Sequence, residues 1–519
     1  MPIFLNSFSD TQVVILVLAA ITFLSSLYFH IKGKEILSVV FLILTALLVF
    51  SFAALLDPFL NLWDERFHAL VGKNLMKHPL MPTLYDDPVV NMAYDRWDRY
   101  HIWIHKQPLF LWQIALSFKL FGISEFSLRI PDIILGTVLV FAGYRSGRLL
   151  VNTRVGYLTG ILILSTSYFV ELAAGRQELD HNDFSFLVYI SLSLWSWIEY
   201  QQTKKRYWVF FIGAFSGFAI LCKWIVGLLV YLGWCIMNLQ HKKFKPAQYV
   251  DLLIALFITL LIALPWQILT FVWYPAEAIQ AYRFNVLHFN TPLDGHVGTF
   301  WYHFEKFSFI YGTLASFIII PSFYVLYKNC KNKKLVVALL IMIAAVYLFF
   351  SFAATRMPSF TTVVSMIILI AFAALFNYLV EFINQFIKWS WLRNIIFAGL
   401  VVLIVIIRFD MESLREKHTM ANSGNSYTRD LIHNKEVFKS LNLPGNAVLF
   451  NVKGRFYIEA MFYTGLPAYN FIPTIEQYHD IQSKGRCIAI IKTSNPSLPV
   501  YLASDPTVII INKEIAGDD

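Results

Sequence analysis

Apolar runs of about 20 residues recur along this chain, and a helix of that length crosses a bilayer core of about 30 Å. Residues 11–29 and 36–56 are the first two such runs. Backbone polar groups inside lipid must be satisfied within the spanning segment, so each run is expected to be a helix. The rest of the composition leaves no soluble alternative. Of 519 residues, 57% are hydrophobic and only 14% charged, far from the proportions of a soluble domain this size. The expected fold class is a polytopic α-helical membrane protein.

The formal net charge of +9 does not point to nucleic acid. Most basic residues sit in short loops between apolar runs, which marks those loops as cytoplasmic. They are the turn His30–Glu35, then Arg145, Arg148 and Arg154, then Lys204-Lys205-Arg206, His241–Lys245, Lys328–Lys334, and Lys388 with Arg393. Fitting runs between them gives further spans at 130–149, 155–174, 184–200, 207–221, 224–239, 249–271, 307–327, 335–353, 360–380 and 394–408. The total is about twelve spans, which places both termini outside. Leu109–Phe121 is short and carries Lys119, and counting it as a span would put Arg145, Arg148 and Arg154 outside. It is therefore assigned to the outer interface. The first run lacks a basic leader, so no cleavable signal is expected. Cys222, Cys235, Cys330 and Cys487 lack metal-ligand spacing, and no disulfide framework is expected.

Two domains follow. Residues 1–408 form the membrane domain, with outer loops 57–128 and 272–306. Residues 409–519 are more polar and hold short β-like runs at 447–452, 487–491 and 508–511, separated by the helix-like stretches 455–463 and 475–483. Strands alternating with helices predict a small soluble α/β domain, extracytoplasmic by parity. Within the first outer loop, residues 67–77 have helical spacing and are expected to lie along the membrane surface.

The outer face collects the chemistry. Asp64 and Glu65 follow the second apolar run, and adjacent carboxylates at a membrane boundary must face water or a cavity. Parity brings Asp180 and Asp183 to the same side, with Lys106, Arg176, Arg283 and Arg356. Carboxylates beside cations suit transfer from a phosphate-linked donor: the carboxylate activates an acceptor hydroxyl, and a cation stabilises the leaving phosphate. For any single Lys or Arg, snorkelling to headgroups is the competing explanation. His105, His288, His296 and His303 lack an HxxH or HExxH spacing, which favours hydrogen-bonded surface histidines. His105 and His296 are kept as candidate ligands should a divalent metal be used. The outer aromatic residues, among them Trp63, Trp97 and Trp301, fit an interfacial belt.

Trp63-Asp64-Glu65-Arg66, Lys106-Gln107-Pro108-Leu109, Leu120-Phe121-Gly122 and Leu128-Arg129-Ile130-Pro131, in that order, resemble the GT-C superfamily of membrane glycosyltransferases. The likeness is strongest to lipid A 4-amino-4-deoxy-L-arabinose transferases and protein O-mannosyltransferase-like enzymes. It continues through Arg176 and Asp180, Pro265-Trp266, His296–Tyr302 and Thr355-Arg356-Met357-Pro358, so it covers about residues 50–380. Gln107 stands where the family has a first proline, Arg356 where lysine is common, and His105 where the arabinose transferases carry an acid. Gly298-Thr299 interrupts the pattern before Phe300-Trp301-Tyr302, and there is an extra N-terminal span.

The resemblance implies a GT-C fold and a sugar transferred from a polyprenyl monophosphate on the outer leaflet of the plasma (inner) membrane. The acceptor would be lipid A, a glycan or a protein, with membrane lipids around the fold and no nucleic acid. It implies Asp64 as general base supported by Glu65, Asp180 orienting acceptor or donor, and Lys106, Arg356 and Arg283 on the donor phosphate. A transporter or flippase for a lipid-linked sugar is the alternative. It would place ionisable groups near mid-span or use paired broken helices, whereas the charges here gather on one face. A non-catalytic scaffold whose outer domain binds a partner is the third possibility.

Overall fold

A computed structural model describes residues 8–91, 96–177, 181–223, 225–240, 246–414, 426–492 and 498–517. The chain is a polytopic helical membrane protein with a small C-terminal parallel sheet. Among the described residues, seven helices are long and apolar enough to cross a membrane: Asp10–Ile31, Glu35–Ala54, Glu125–Leu150, Tyr249–Trp273, Lys333–Phe352, Pro358–Asn384 and Ser390–Leu414. The number rises to nine if each of two bent pairs counts as one span. Thr153–Leu164 meets Ser167–Ala173 at a 57° bend, and Tyr302–Tyr311 meets Ala315–Asn329 at 88°.

The sequence led to about twelve spans, and the difference has local causes. Tyr207–Cys222 and Ile225–Leu239 are apolar but shorter than a full crossing. Asp183–Thr203 has the length, at 21 residues, but four serines and Glu199 lower its hydropathy, and it is buried along almost its whole length. Pro108–Phe121, which the sequence left out of the count, is a helix of 14 residues, shorter than a span.

By compactness the chain divides into two units. The first comprises Met1–Leu55, Lys106–Phe110 and Arg129–Met411. In it, Asp10–Ile31 and Glu35–Ala54 pack as a hairpin. Ser26 Oγ donates to the Ser38 carbonyl at 2.7 Å, keeping a buried hydroxyl satisfied between them. Tyr207–Cys222 packs on the helix Pro246–Trp273. A Cβ on Gly213 would stand 2.5 Å from the Ala255 carbonyl oxygen, so this approach requires glycine.

The second unit comprises Leu56–His105, Leu111–Leu128 and Glu412–Asp519. Its sheet has order β1-β2-β3, with β1 Ala447–Phe450, β2 Cys487–Ile491 and β3 Ile509–Ile511, all parallel. β1 is buried at every position, as an apolar Ala-Val-Leu-Phe run under helices should be. Helices Tyr457–Thr464 and Ile475–Ser483 make the crossover from β1 to β2 that parallel pairing demands. Thr474 and Gln477 form a capping box at the second of these.

The helix Asp64–Leu75 belongs to this unit and corrects an expectation. The sequence suggested a helix over 67–77 lying on the membrane surface. The helix begins at Asp64 and eleven of its twelve residues are buried. It packs on Tyr457–Thr464, and Gly72 meets Ile114 so closely that a Cβ would fall 2.5 Å from the isoleucine Cγ2. The Glu125–Leu150 helix also begins earlier than Arg129, although Pro131 lies inside it. Proline cannot bond the carbonyl four residues back, and that carbonyl, Ser127, accepts the Ser117 hydroxyl at 2.5 Å.

Candidate active site

In the second unit, the turn 57–63 delivers Asp64 to the first turn of its helix. Trp63 precedes it at φ 62°, ψ −127°, a conformation rare for any residue with a Cβ. Holding it there costs about 1–3 kcal/mol, the kind of strain found at functional sites. Glu65 closes the turn: its Oε2 accepts the Asn61 backbone N–H at 2.6 Å and the Asn61 side-chain Nδ2 at 2.9 Å. Asp64 is 7% exposed and Glu65 1%. Both carboxylates lie in the first helical turn, where the backbone N–H groups and helix dipole favour negative charge. Glu65 is committed to the turn, and Asp64 opens the helix directly beside it. His105, in the same unit, stacks on Trp97 at 4.7 Å.

In the first unit, the loop after the helix Pro275–Asn290 is zipped to the segment 354–356. The Ala354, Thr355 and Arg356 amides donate to the Phe289, His288 and His296 carbonyls, at 3.2, 2.9 and 3.2 Å. The Arg356 guanidinium donates to two backbone carbonyls, Gly298 at 2.5 Å and Ser351 at 3.1 Å. Its Nε is buried without a hydrogen-bond partner among the described residues. Two neutral carbonyls orient the guanidinium, and no carboxylate among the described residues pairs with it, as an anion site needs. Arg283 is exposed on Pro275–Asn290, and Lys106 is half-buried just before Pro108–Phe121. Gln107 accepts from Gln267 Nε2 at 2.7 Å, tying that helix start to the helix carrying Pro265-Trp266.

Asp180 lies outside the described residues. Its neighbours form a buried polar cluster that the sequence only partly signalled. Asp132 Oδ1 accepts from Ser185 Oγ at 2.7 Å, and its Oδ2 lies 3.5 Å from His181 Nε2. Burial, then the Arg129 charge, pushes His181 down to about 3, so the imidazole is neutral and the contact is not an ion pair. Lys223 pairs with Asp183 and sits 4.7 Å from the Phe360 ring centre. Asp132, a carboxylate in a helix long enough to span, was the available signal. Among the described residues, no group of three or more His, Cys, Asp or Glu side chains is placed to hold a metal ion. His105 and His296 fall in different units.

Residues 105–268 match the family model described as dolichyl-phosphate-mannose-protein mannosyltransferase. An Aquifex aeolicus protein described as uncharacterized is 30% identical over 170 residues, which make up 33% of this chain and 31% of that protein. The match to this relative thus spans less than a third of the relative's length. ArnT from Cupriavidus metallidurans, in its apo state, shares the fold at a TM-score of 0.59 and 16% identity, over 88% of this chain and 86% of ArnT. The same enzyme bound to undecaprenyl phosphate gives 0.59 and 15%, over 91% and 89%. The archaeal oligosaccharyltransferase AglB from Archaeoglobus fulgidus, in complex with an inhibitory peptide and a dolichol-phosphate, gives 0.55 and 12%, over 83% and 64%. At these identities the structural likeness is one of fold. The resemblance to GT-C membrane glycosyltransferases seen in the sequence is borne out by the family match and by this fold.

Proposed function

We propose that this chain, a polytopic membrane protein with the fold of ArnT, transfers a sugar from a polyprenyl-phosphate donor to an acceptor on the outer face of the plasma membrane. The observation that carries the reading is the presentation of Asp64: a carboxylate at a helix start, behind a strained Trp63, in a turn that Glu65 holds shut. A fixed carboxylate of this kind takes the proton from an acceptor hydroxyl as it attacks the anomeric carbon. The donor's phosphate leaves as an anion, and Arg356, oriented by two carbonyls, is the group suited to receive it, with Lys106 and Arg283 as further cations. Undecaprenyl phosphate is the ligand of the related ArnT structure and is the donor carrier proposed here. The acceptor is a lipid, glycan or protein of the cell envelope. Asp180 is proposed to orient one of the two substrates, and residues 409–519 to form an extracytoplasmic domain following the membrane domain 1–408.

The reading is tested in a deletion strain. Mass spectrometry of envelope lipids and glycans identifies the product that disappears, and plasmid-borne parent restores it. Asp64→Asn, inserted at parental level, should not restore it. Restoration by Asp64→Asn would remove the base and with it the proposal. The outer placement has its own test: a cysteine at Asn91 should react with an impermeant reagent added outside, and one at Asn332 should not. The reverse pattern would put the carboxylates in the cytoplasm.

A further inference from the structure

Resting on the reading of Asp64 as the base, we propose that residues 427–459 of the C-terminal α/β region are its positioning frame, with Tyr427, Arg455 and Glu459 each fastening one side of the segment 61–66. The three holds are independent. Tyr427 donates from its hydroxyl to Asn61 Oδ1 at 3.2 Å and accepts the Leu62 backbone N–H at 3.3 Å. Asn61 is the same residue whose two N–H groups bind Glu65, so the tyrosine fixes the turn from behind. Arg455 lies with its guanidinium 4.7 Å from the Trp63 ring centre while Asp98 accepts from its Nε at 3.2 Å. The strained residue is thereby clamped by a cation that is itself tethered. Glu459 takes the third side: its Oε1 lies 3.2 Å from Arg66 Nη1, with both side chains out of solvent.

A buried pair of this kind contributes little net stability, because desolvation of both ions offsets their attraction. Its value is directional. Arg66 lies two residues after Asp64, and a guanidinium locked to a carboxylate fixes the rotation of the first turn of the helix. The helix bearing Glu459 packs directly on the helix Asp64–Leu75, so the lock acts through a rigid contact. None of the three residues needs to touch substrate. They are positioning residues, and the C-terminal region is part of the catalytic apparatus even if it binds no ligand.

Two variants test this. Tyr427→Phe removes one hydroxyl and leaves the ring against Phe59, with centroids 6.3 Å apart. Arg66→Met/Glu459→Met removes both buried charges together and keeps apolar volume, so it should fold as well as the parent. Each is purified full length, and its transfer rate to the acceptor identified in the deletion strain is measured. Undecaprenyl phosphate affinity is read by titration and stability by melting. The expected result is a loss of roughly 10- to 100-fold in the maximal transfer rate, the scale set by small misplacements of a catalytic group. Undecaprenyl phosphate affinity and melting temperature should match the parent. A purely structural role would lower the melting temperature and spare the rate of the folded fraction. Parental rates in both folded variants overturn the proposal. If Asp64→Asn itself transfers normally, the base assignment falls instead, whatever the frame variants do.

Discussion

The arginines of the two units are held differently. In the second unit they meet carboxylates: Arg66 with Glu459, Arg455 and Arg96 with Asp98, and Arg486 with Asp87. In the first unit, Arg356 is held by the Gly298 and Ser351 carbonyls, and Arg408 by the Tyr311 carbonyl and the Thr166 hydroxyl. A carboxylate cancels the charge it fixes; a carbonyl fixes the guanidinium and leaves the charge. These second-unit arginines therefore act as fasteners, whereas Arg356 and Arg408 in the first unit are fixed without a carboxylate and are the potential anion receptors. The first unit also contains arginines that meet carboxylates: Arg206 Nε lies 3.5 Å from Asp251 and Arg154 Nη1 3.9 Å from Glu381. Arg145 pairs with Glu199 at 2.6 Å and Arg148 with Glu35 at 2.9 Å, both near the C-terminal end of the helix Glu125–Leu150. These basic residues belong to the loop that the sequence assigned to the cytoplasm.

The contrast can be broken most severely at the carboxylate that the fasteners surround. Asp64→Asn should lower the transfer rate by about 10²–10⁴, the usual cost of losing a positioned base, with undecaprenyl phosphate binding intact. A rate within a few-fold of the parent would show that the second unit's fasteners surround nothing catalytic. Next in size is the receptor. Arg356→Ala should weaken undecaprenyl phosphate binding by roughly 10- to 150-fold, the loss of a charge-assisted contact. Arg356→Lys should weaken it less, since lysine keeps the charge without the fork. Equal affinity for parent and Arg356→Ala would leave Lys106 and Arg283 as the remaining candidates.

Arg145→Gln sharpens the comparison from the other side. Its charge is already cancelled, so carrier affinity should stay parental. Glu199 would keep the Trp195 indole N–H but lose its buried cation, at a cost of about 1–3 kcal/mol of stability, seen as a lower melting temperature. Weakened carrier binding by this variant would mean that charge cancellation does not distinguish the two classes of arginine. The smallest effect concerns Lys73, whose ammonium donates to the Phe462 carbonyl at 2.6 Å near the end of the helix Tyr457–Thr464. Burial, then Lys77, lowers its pKa to about 8. Above that pH the folded chain releases a proton that the unfolded chain holds until near 10.5, so stability should rise with pH across this window. Lys73→Met should flatten that slope in thermal melts between pH 7 and 10. An identical slope in the variant would assign it to another group.

How legible all this was in sequence depends on range. The strands of the C-terminal region and its helices Tyr457–Thr464 and Ile475–Ser483 emerged within one or two residues, because apolar runs and turn residues are local signals. Asp64 and Glu65 stood out because charge at the end of an apolar run is costly. The partners were not legible. Nothing near Arg66 announces Glu459, and nothing in Thr355-Arg356-Met357-Pro358 announces the carbonyls of Gly298 and Ser351. The helix Asp64–Leu75 looked amphipathic because its polar residues were assumed to meet water. Arg66 meets Glu459 and Asn74 meets the Thr83 and Leu84 carbonyls instead. The span count differs because Tyr207–Cys222 and Ile225–Leu239 are apolar but short, and Asp183–Thr203 is long but more polar, so run length and hydropathy pull apart there.

The lock between Arg66 and Glu459 joins residues 393 positions apart. A ribosome adding about 5–20 residues per second needs roughly 20–80 s to cover that interval. For that time the nascent chain carries its acidic turn without the residue that orients it. A chain that stalls or is cut before Glu459 would hold Asp64 in the right sequence and the wrong place. The order of synthesis thus delays competence until all but the last 60 residues have been made.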